Sequence, residues 1–127
     1  MGGGLALQCA LRTPRRLGAV FAISSYLNEG AAGYAVRAAS PRAWPPIWIR
    51  HGAADDFILP SWGEATARRF RELGANVEWA TEAGVAHTMS EAELRQLWGW
   101  LDEHLFALDR ADCECATEAD RLCHGPI

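Results

Sequence analysis

No lysine occurs among the 127 residues, and all 12 basic side chains are arginine. Positive charge of this kind favours fork-like contacts over point charges, although it reads first as a base-composition bias. The arginines never form a run long enough to track a phosphate backbone, which argues against nucleic acid as a partner. No apolar run approaches the roughly 20 residues of a membrane span. The opening Met-Gly-Gly-Gly-Leu-Ala-Leu lacks the positive start and apolar stretch of a secretory signal, so a cytoplasmic location is expected. Cysteine is sparse: Cys9, Cys113, Cys115 and Cys123. In a reducing compartment these are free thiols rather than disulfides. Apolar residues are not lacking. At 50% hydrophobic, 22% charged and a net charge of −4, the chain is an ordinary globular one, long enough for one domain.

The pattern along the chain alternates helix and strand. Residues 2–12 place three glycines ahead of good helix formers, with Leu5 and Cys9 at i and i+4 as its core face, and Thr13-Pro14 ends the helix. Glycines at a helix start predict close approach to another backbone. Residues 17–24 are nearly all apolar, as in a strand buried on both faces of a parallel sheet. Residues 47–51 form a second short strand, and the alternation of 76–81 marks a third, nearer an edge. Residues 26–46 read as a connection with one short helix.

Ser61 with Glu64, and Ser90 with Glu93, have the spacing of capping boxes at the starts of two longer helices. The first helix would bury Trp62, Ala65, Phe70 and Leu73, with Gly74 just past its end. The second would bury Leu94, Leu97, Trp98, Leu101, Leu105 and Leu108. This order predicts an α/β layer architecture with about three parallel strands. So few strands leave one sheet edge bare, which points to a part of something larger.

Two segments could carry chemistry. His51-Gly-Ala-Ala-Asp55-Asp56-Phe-Ile-Leu-Pro60 follows a buried strand, and open α/β sheets place ligands at strand C-terminal ends. Gly84-Val-Ala-His87-Thr-Met89 puts a histidine after the next strand. Asp55 and His87 therefore lie on adjacent strand ends, where a carboxylate bonded to imidazole would fix its tautomer. Spacing alone leaves Asp55 and Asp56 equally open as loop acids capping nearby amides, and His87 as a solvated loop imidazole.

Several motifs in one order carry a resemblance: Met-Gly-Gly-Gly at 1–4, Gly-Ala-Val-Phe-Ala-Ile-Ser-Ser-Tyr-Leu-Asn at 18–28, His-Gly-Ala-Ala-Asp-Asp-Phe-Ile-Leu at 51–59, Ser-Trp-Gly-Glu-Ala-Thr at 61–66, Ala-His at 86–87 and Ser-Glu-Ala-Glu-Leu at 90–94. From Met1 to about Leu105 the chain resembles the C-terminal half of the acyl-protein thioesterase and lysophospholipase family of α/β-hydrolases, and especially its lysophospholipase-like branch. The resemblance implies a partial α/β-hydrolase domain over 1–108, with 109–127 a tail outside the fold. It implies Asp55 as triad acid and His87 as triad base, with Asp56 a neighbour of the acid. It also implies Ser24, Ser25 and Leu27 beside the substrate, hydrolysis of acyl esters or thioesters of lipids or proteins, and no cofactor or metal.

The family's nucleophile sits in Gly-x-Ser-x-Gly. Aligned on that motif, Met1 follows the serine and its amide would belong to the oxyanion hole, so the nucleophile is expected just before Met1. The expectation is a chain inactive alone. Ser61 reads as a helix cap, and Ser24 and Ser25 as strand-end residues rather than substitute nucleophiles. An alternative is a non-catalytic α/β fragment that associates, with itself or another chain, through its bare sheet edge. Cys9 reads as a small core residue. Cys113, Cys115, Cys123 and His124 have the donor types for zinc but not the spacing of a standard finger.

Overall fold

A computed structural model describes residues 2–40 and 42–106. Helix α1 (Gly2–Arg12) leads to strand β1 (Val20–Ile23), helix α2 (Ala32–Ala39), strand β2 (Ile47–Gly52), helix α3 (Pro60–Glu72), strand β3 (Val77–Glu82) and helix α4 (Glu91–Leu101). A π-helical turn, Asp102–Phe106, extends α4. The strands form one parallel sheet in the order β1-β2-β3. Register runs Val20–Ile47–Val77 at one end and Ile23–Arg50–Ala80 towards the other.

Side chains of β2 alternate between two apolar layers, as a strand covered on both faces requires. Ile47 and Ile49 join Leu7, Leu11, Tyr34, Ala67 and Phe70, so α1, α2 and α3 share one face. Trp48 points the other way and packs on Leu97 and Trp100 of α4. The expected α/β fold is thus present, with β3 an edge strand and Gly74 at φ 86° just past α3. Thr66 on α3 ties down the segment after β1, its hydroxyl oxygen accepting from the Leu27 amide at 2.9 Å.

Several local expectations are corrected. Strand β1 is four residues long, and Phe21 is 44% exposed, although Ile23 of the same strand packs against the Trp48, Leu97 and Trp100 cluster. The buried stripe of α1 is Leu7, Ala10 and Leu11, while Leu5 and Cys9 are exposed. That flank lies beyond β1, where the described residues supply no further strand to pack on. The Ser61 capping box does not form. Pro60 occupies the first turn with Leu59 as N-cap, so Ser61 is already inside the helix. The buried face of α3 is Gly63, Thr66, Ala67 and Phe70, with Trp62 turned out. In α4, Leu97 and Trp100 are buried and Leu94 and Trp98 exposed.

The Ser90–Glu93 capping box is present in both directions, at 3.0 Å each. Of the helix-start glycines, Gly4 comes near another backbone, a Cβ there lying 3.2 Å from Tyr26 O, whereas Gly3 faces the Ser25 side chain with no room for a methyl group. The expected tail, with Cys113, Cys115, Cys123 and His124, lies outside the described residues, as does Leu108.

Candidate active site

The site forms where β2 and β3 end on the same side of the sheet. Gly52 closes β2. A Cβ there would run into the carbonyl oxygens of Val85 and Ala86. Its absence lets the 84–87 segment cross directly over the strand end. Two backbone bonds staple that crossing, Ala53 N–H to Glu82 O at 2.8 Å and Ala54 N–H to Val85 O at 2.9 Å. Gly84, at φ 73°, makes the turn that starts it.

The next carboxylate, Asp55, is buried with its side chain wholly out of solvent. Its Oδ1 accepts the amides of Phe57 at 3.0 Å and Ile58 at 2.8 Å. Its Oδ2 lies 2.8 Å from His87 Nδ1. Asp56 is exposed. Burial pushes the Asp55 carboxyl up, but the Ile58 amide, the His87 ring and the Phe57 amide outweigh it, so the group sits below its ordinary value. It is therefore an anion held by donors, suited to orienting an imidazole.

His87 is part-exposed, with 43% of its side chain open. Phe57 packs a tilted ring against it, centroids 5.1 Å apart. With Nδ1 on Asp55, the outer nitrogen Nε2 has no hydrogen-bond partner among the described residues. The His87 ring lines open clefts on two sides. One, of about 680 Å³, runs along the free edge of β1 and is lined by Gly2, Gly3, Ser24 and His87 among others. The other, of about 440 Å³, is lined by Gly4, Ser25, Tyr26, Phe57 and His87 among others.

The structure thus brings Asp55 and His87 together and places Ser24 and Ser25 in the same clefts. Ser24 ends β1 at φ 45°, and its buried Oγ has no partner among the described residues. Ser25 Oγ donates to Ile23 O at 2.8 Å. Leu27 belongs to the core cluster and opens onto a neighbouring cleft with Tyr26 and Trp62 that does not include His87. Met1 lies outside the described residues. Among those described, no cluster of three or more His, Cys, Asp or Glu side chains is placed to hold a metal. No helix there is long and apolar enough to cross a membrane.

One residue in the quoted motif received no role from sequence. His51 is fully buried, with Nε2 2.8 Å from Ile58 O and 3.3 Å from Asp55 Oδ2. A histidine in an apolar strand, four residues before the acid, was the only available signal.

Comparisons with known proteins agree with this geometry. No protein-family model matches the chain. Lysophospholipase-like protein 1 of Mus musculus is 29% identical over 101 residues, covering 80% of this chain and 42% of the mouse protein. Acyl-protein thioesterase 1 of Neurospora crassa is 30% identical over 106 residues, covering 82% and 43% respectively. The crystal structure of Arabidopsis thaliana SOBER1 superposes with a TM-score of 0.71 at 25% identity, over 82% of this chain and 49% of that one. The chain spans less than half the length of the curated relatives it matches. Motif order, sheet topology and these matches coincide: over about 80% of its length the chain is similar to part of acyl-protein thioesterases, carboxylesterases and lysophospholipase-like proteins, and it has a partial α/β-hydrolase fold.

Proposed function

We propose that this chain supplies the acid and base of a serine-hydrolase site that cleaves carboxylic esters or thioesters, the acyl group being carried by a lipid or a protein. Asp55 holds His87 through Nδ1. His87 Nε2 takes the proton of a serine as it attacks the acyl carbon, then returns it to the departing alcohol or thiol. The observation that supports this most is the 2.8 Å Asp55–His87 contact with the His87 ring lining both clefts. The start of α1 lines the same cleft, and a helix N-terminus there favours the charge that develops on the acyl oxygen.

The nucleophile in this reading precedes α1, as the Gly-x-Ser-x-Gly alignment places it. No metal or cofactor takes part, and the setting is cytoplasmic, which fractionation of cells expressing a tagged chain would check.

Hydrolysis of a short-chain p-nitrophenyl ester tests the proposal. The 127-residue chain alone is expected to match its His87→Ala variant. A longer protein carrying Gly-x-Ser ahead of α1 is expected to turn over and to lose that activity on His87→Ala or Asp55→Asn. Full turnover by the longer His87→Ala protein would end the proposal.

A second reading rests on a different observation. The cleft beside β1 is open, and Phe21, Leu5 and Cys9 are exposed along that flank. In this reading the chain is a binding fragment that associates through the free strand edge, with itself or with another chain. Sedimentation velocity decides the self-associating form. A concentration-independent monomer rules it out.

A further inference from the structure

We infer that His51 is a positioning residue for the Asp55–His87 pair. Through the Ile58 carbonyl and Asp55 Oδ2 it locks the acid's loop to the end of β2. The inference rests on reading Asp55 and His87 as acid and base, and it adds a third side chain to that arrangement.

His51 shares the face of β2 that carries Ile47 and Ile49, where burial favours an apolar side chain. A polar ring is costly there unless its nitrogens are used. One nitrogen is used. Nε2 lies 2.8 Å from Ile58 O and 3.3 Å from Asp55 Oδ2. A carbonyl oxygen and a carboxylate oxygen only accept, so the nitrogen between them carries a proton. Nδ1 faces the other way and has no partner among the described residues. Gly63 and Trp79 close off that side. A Cβ at Gly63 would sit 2.6 Å from Nδ1 and 2.8 Å from the Trp79 ring. The glycine on α3 therefore makes room for the ring.

Two hydrogen bonds and one 3.3 Å contact form a circuit. His51 Nε2–H donates to Ile58 O, Ile58 N–H donates to Asp55 Oδ1, and Asp55 Oδ2 meets His51 Nε2 again. Asp55 then has two donors on Oδ1, the Phe57 and Ile58 amides, and His87 on Oδ2, with the His51 ring 3.3 Å from that same Oδ2. An inert core side chain would fill the same space. It would neither pin the 55–58 loop nor touch the oxygen that holds His87.

Three variants of the 127-residue chain separate these roles. His51→Leu fills the space without a donor. His51→Gln returns an N–H near the place of Nε2. Gly63→Ala pushes the ring from the α3 side and leaves His51 itself in place. The readouts are the NMR titration of the Asp55 carboxyl carbon and the resonance of the His87 Nδ1 proton. In His51→Leu the Asp55 midpoint is expected to rise by about half to one pH unit, and the His87 proton to be lost to exchange. His51→Gln is expected to restore both, and Gly63→Ala to follow His51→Leu.

A wild-type Asp55 midpoint and an intact His87 proton in His51→Leu and Gly63→Ala would overturn the inference, even with stability reduced. Should His51→Leu not fold, Gly63→Ala decides on the same two readouts. None of them needs turnover. An inactive longer protein would count against the hydrolase reading and leave this test standing.

Discussion

Gly52→Ala is the substitution that most directly tests how the site is assembled. Gly52 is not at positive φ, so its backbone accepts alanine. On conformational grounds alone, the change favours the folded chain by about 0.4–1 kcal/mol. The obstacle is the crossing segment. An added methyl would overlap the carbonyls of Val85 and Ala86, and an ordinary carbon–oxygen contact needs about 3.3 Å or more. The 84–87 segment must retreat by about 1 Å to reach that separation. Such a move stretches the Ala54–Val85 bond of 2.9 Å and the His87–Asp55 contact of 2.8 Å past useful hydrogen-bond length.

The neutral bond is worth about 1 kcal/mol and the charged one about 1.5–3 kcal/mol. After the backbone gain is subtracted, the net loss is about 2–3 kcal/mol. For a domain of this size that lowers Tm by roughly 10 °C or more. Urea and thermal unfolding measure the loss, and the His87 Nδ1 proton reports whether the pair has parted. Gly99→Ala is the matched control. Gly99 lies in α4, where an added Cβ would meet nothing within 4 Å outside its own helix, so helix propensity alone predicts a gain of up to about 1 kcal/mol. A Gly52→Ala protein as stable as wild type, with the His87 proton unchanged, would refute the reasoning.

Asp55 is held below its ordinary carboxylate value in the folded chain, so its contribution is complete above the unfolded-state value and disappears as pH falls through the folded one. Asp55→Asn should remove that acid limb from a plot of urea midpoint against pH. Tyr34 runs the opposite way. Burial pushes its phenol up to about 12, so stability should fall as pH rises from about 10 through 12, and Tyr34→Phe should abolish that alkaline loss. Ser90→Ala deletes the acceptor for the Glu93 amide and the donor to Glu82 at 2.7 Å. It should cost about 1–2 kcal/mol in chemical denaturation. Trp48→Ala empties the layer between the sheet and α4. It should cost about 3–5 kcal/mol by the same assay, with loss of near-ultraviolet circular dichroism.

The sequence showed the layers better than the faces. Ile47-Trp48-Ile49 could only be a strand covered on both sides, and Ser90 with Glu93 could only gain by capping a helix. Apolar periodicity failed where the apolar band of a helix is broad. On α4, Leu94, Leu97, Trp98, Trp100 and Leu101 form a band roughly 160° wide at 3.6 residues per turn, and spacing cannot select Leu97 and Trp100 from within it as the buried pair. Glu93 is buried because it completes the cap, which no hydrophobicity pattern can express. Leu5 and Cys9 had correct helical spacing, but their flank lies outside the described sheet. At the site, Asp55 and Asp56 are equivalent as letters. What separates them is a turn that sets two amides under one carboxylate and leaves the other in water. His51 went unread because its partners, Ile58 O and Gly63, act through backbone and through empty space.

The strand order β1-β2-β3 also has a consequence for how the chain acquires its shape. Each strand pairs with the strand made just before it, across one crossover, residues 24–46 and then 53–76. No described pairing waits for a distant strand. On the ribosome, where amino-terminal sequence emerges first, β1 and β2 can dock while α3 is still being made, and β3 then joins a template already in place. The catalytic candidates meet late, with α4 still to follow. Asp55 emerges before its turn is anchored, and His87 reaches it only after β3 has joined, so the Asp55–His87 contact closes after the sheet is complete.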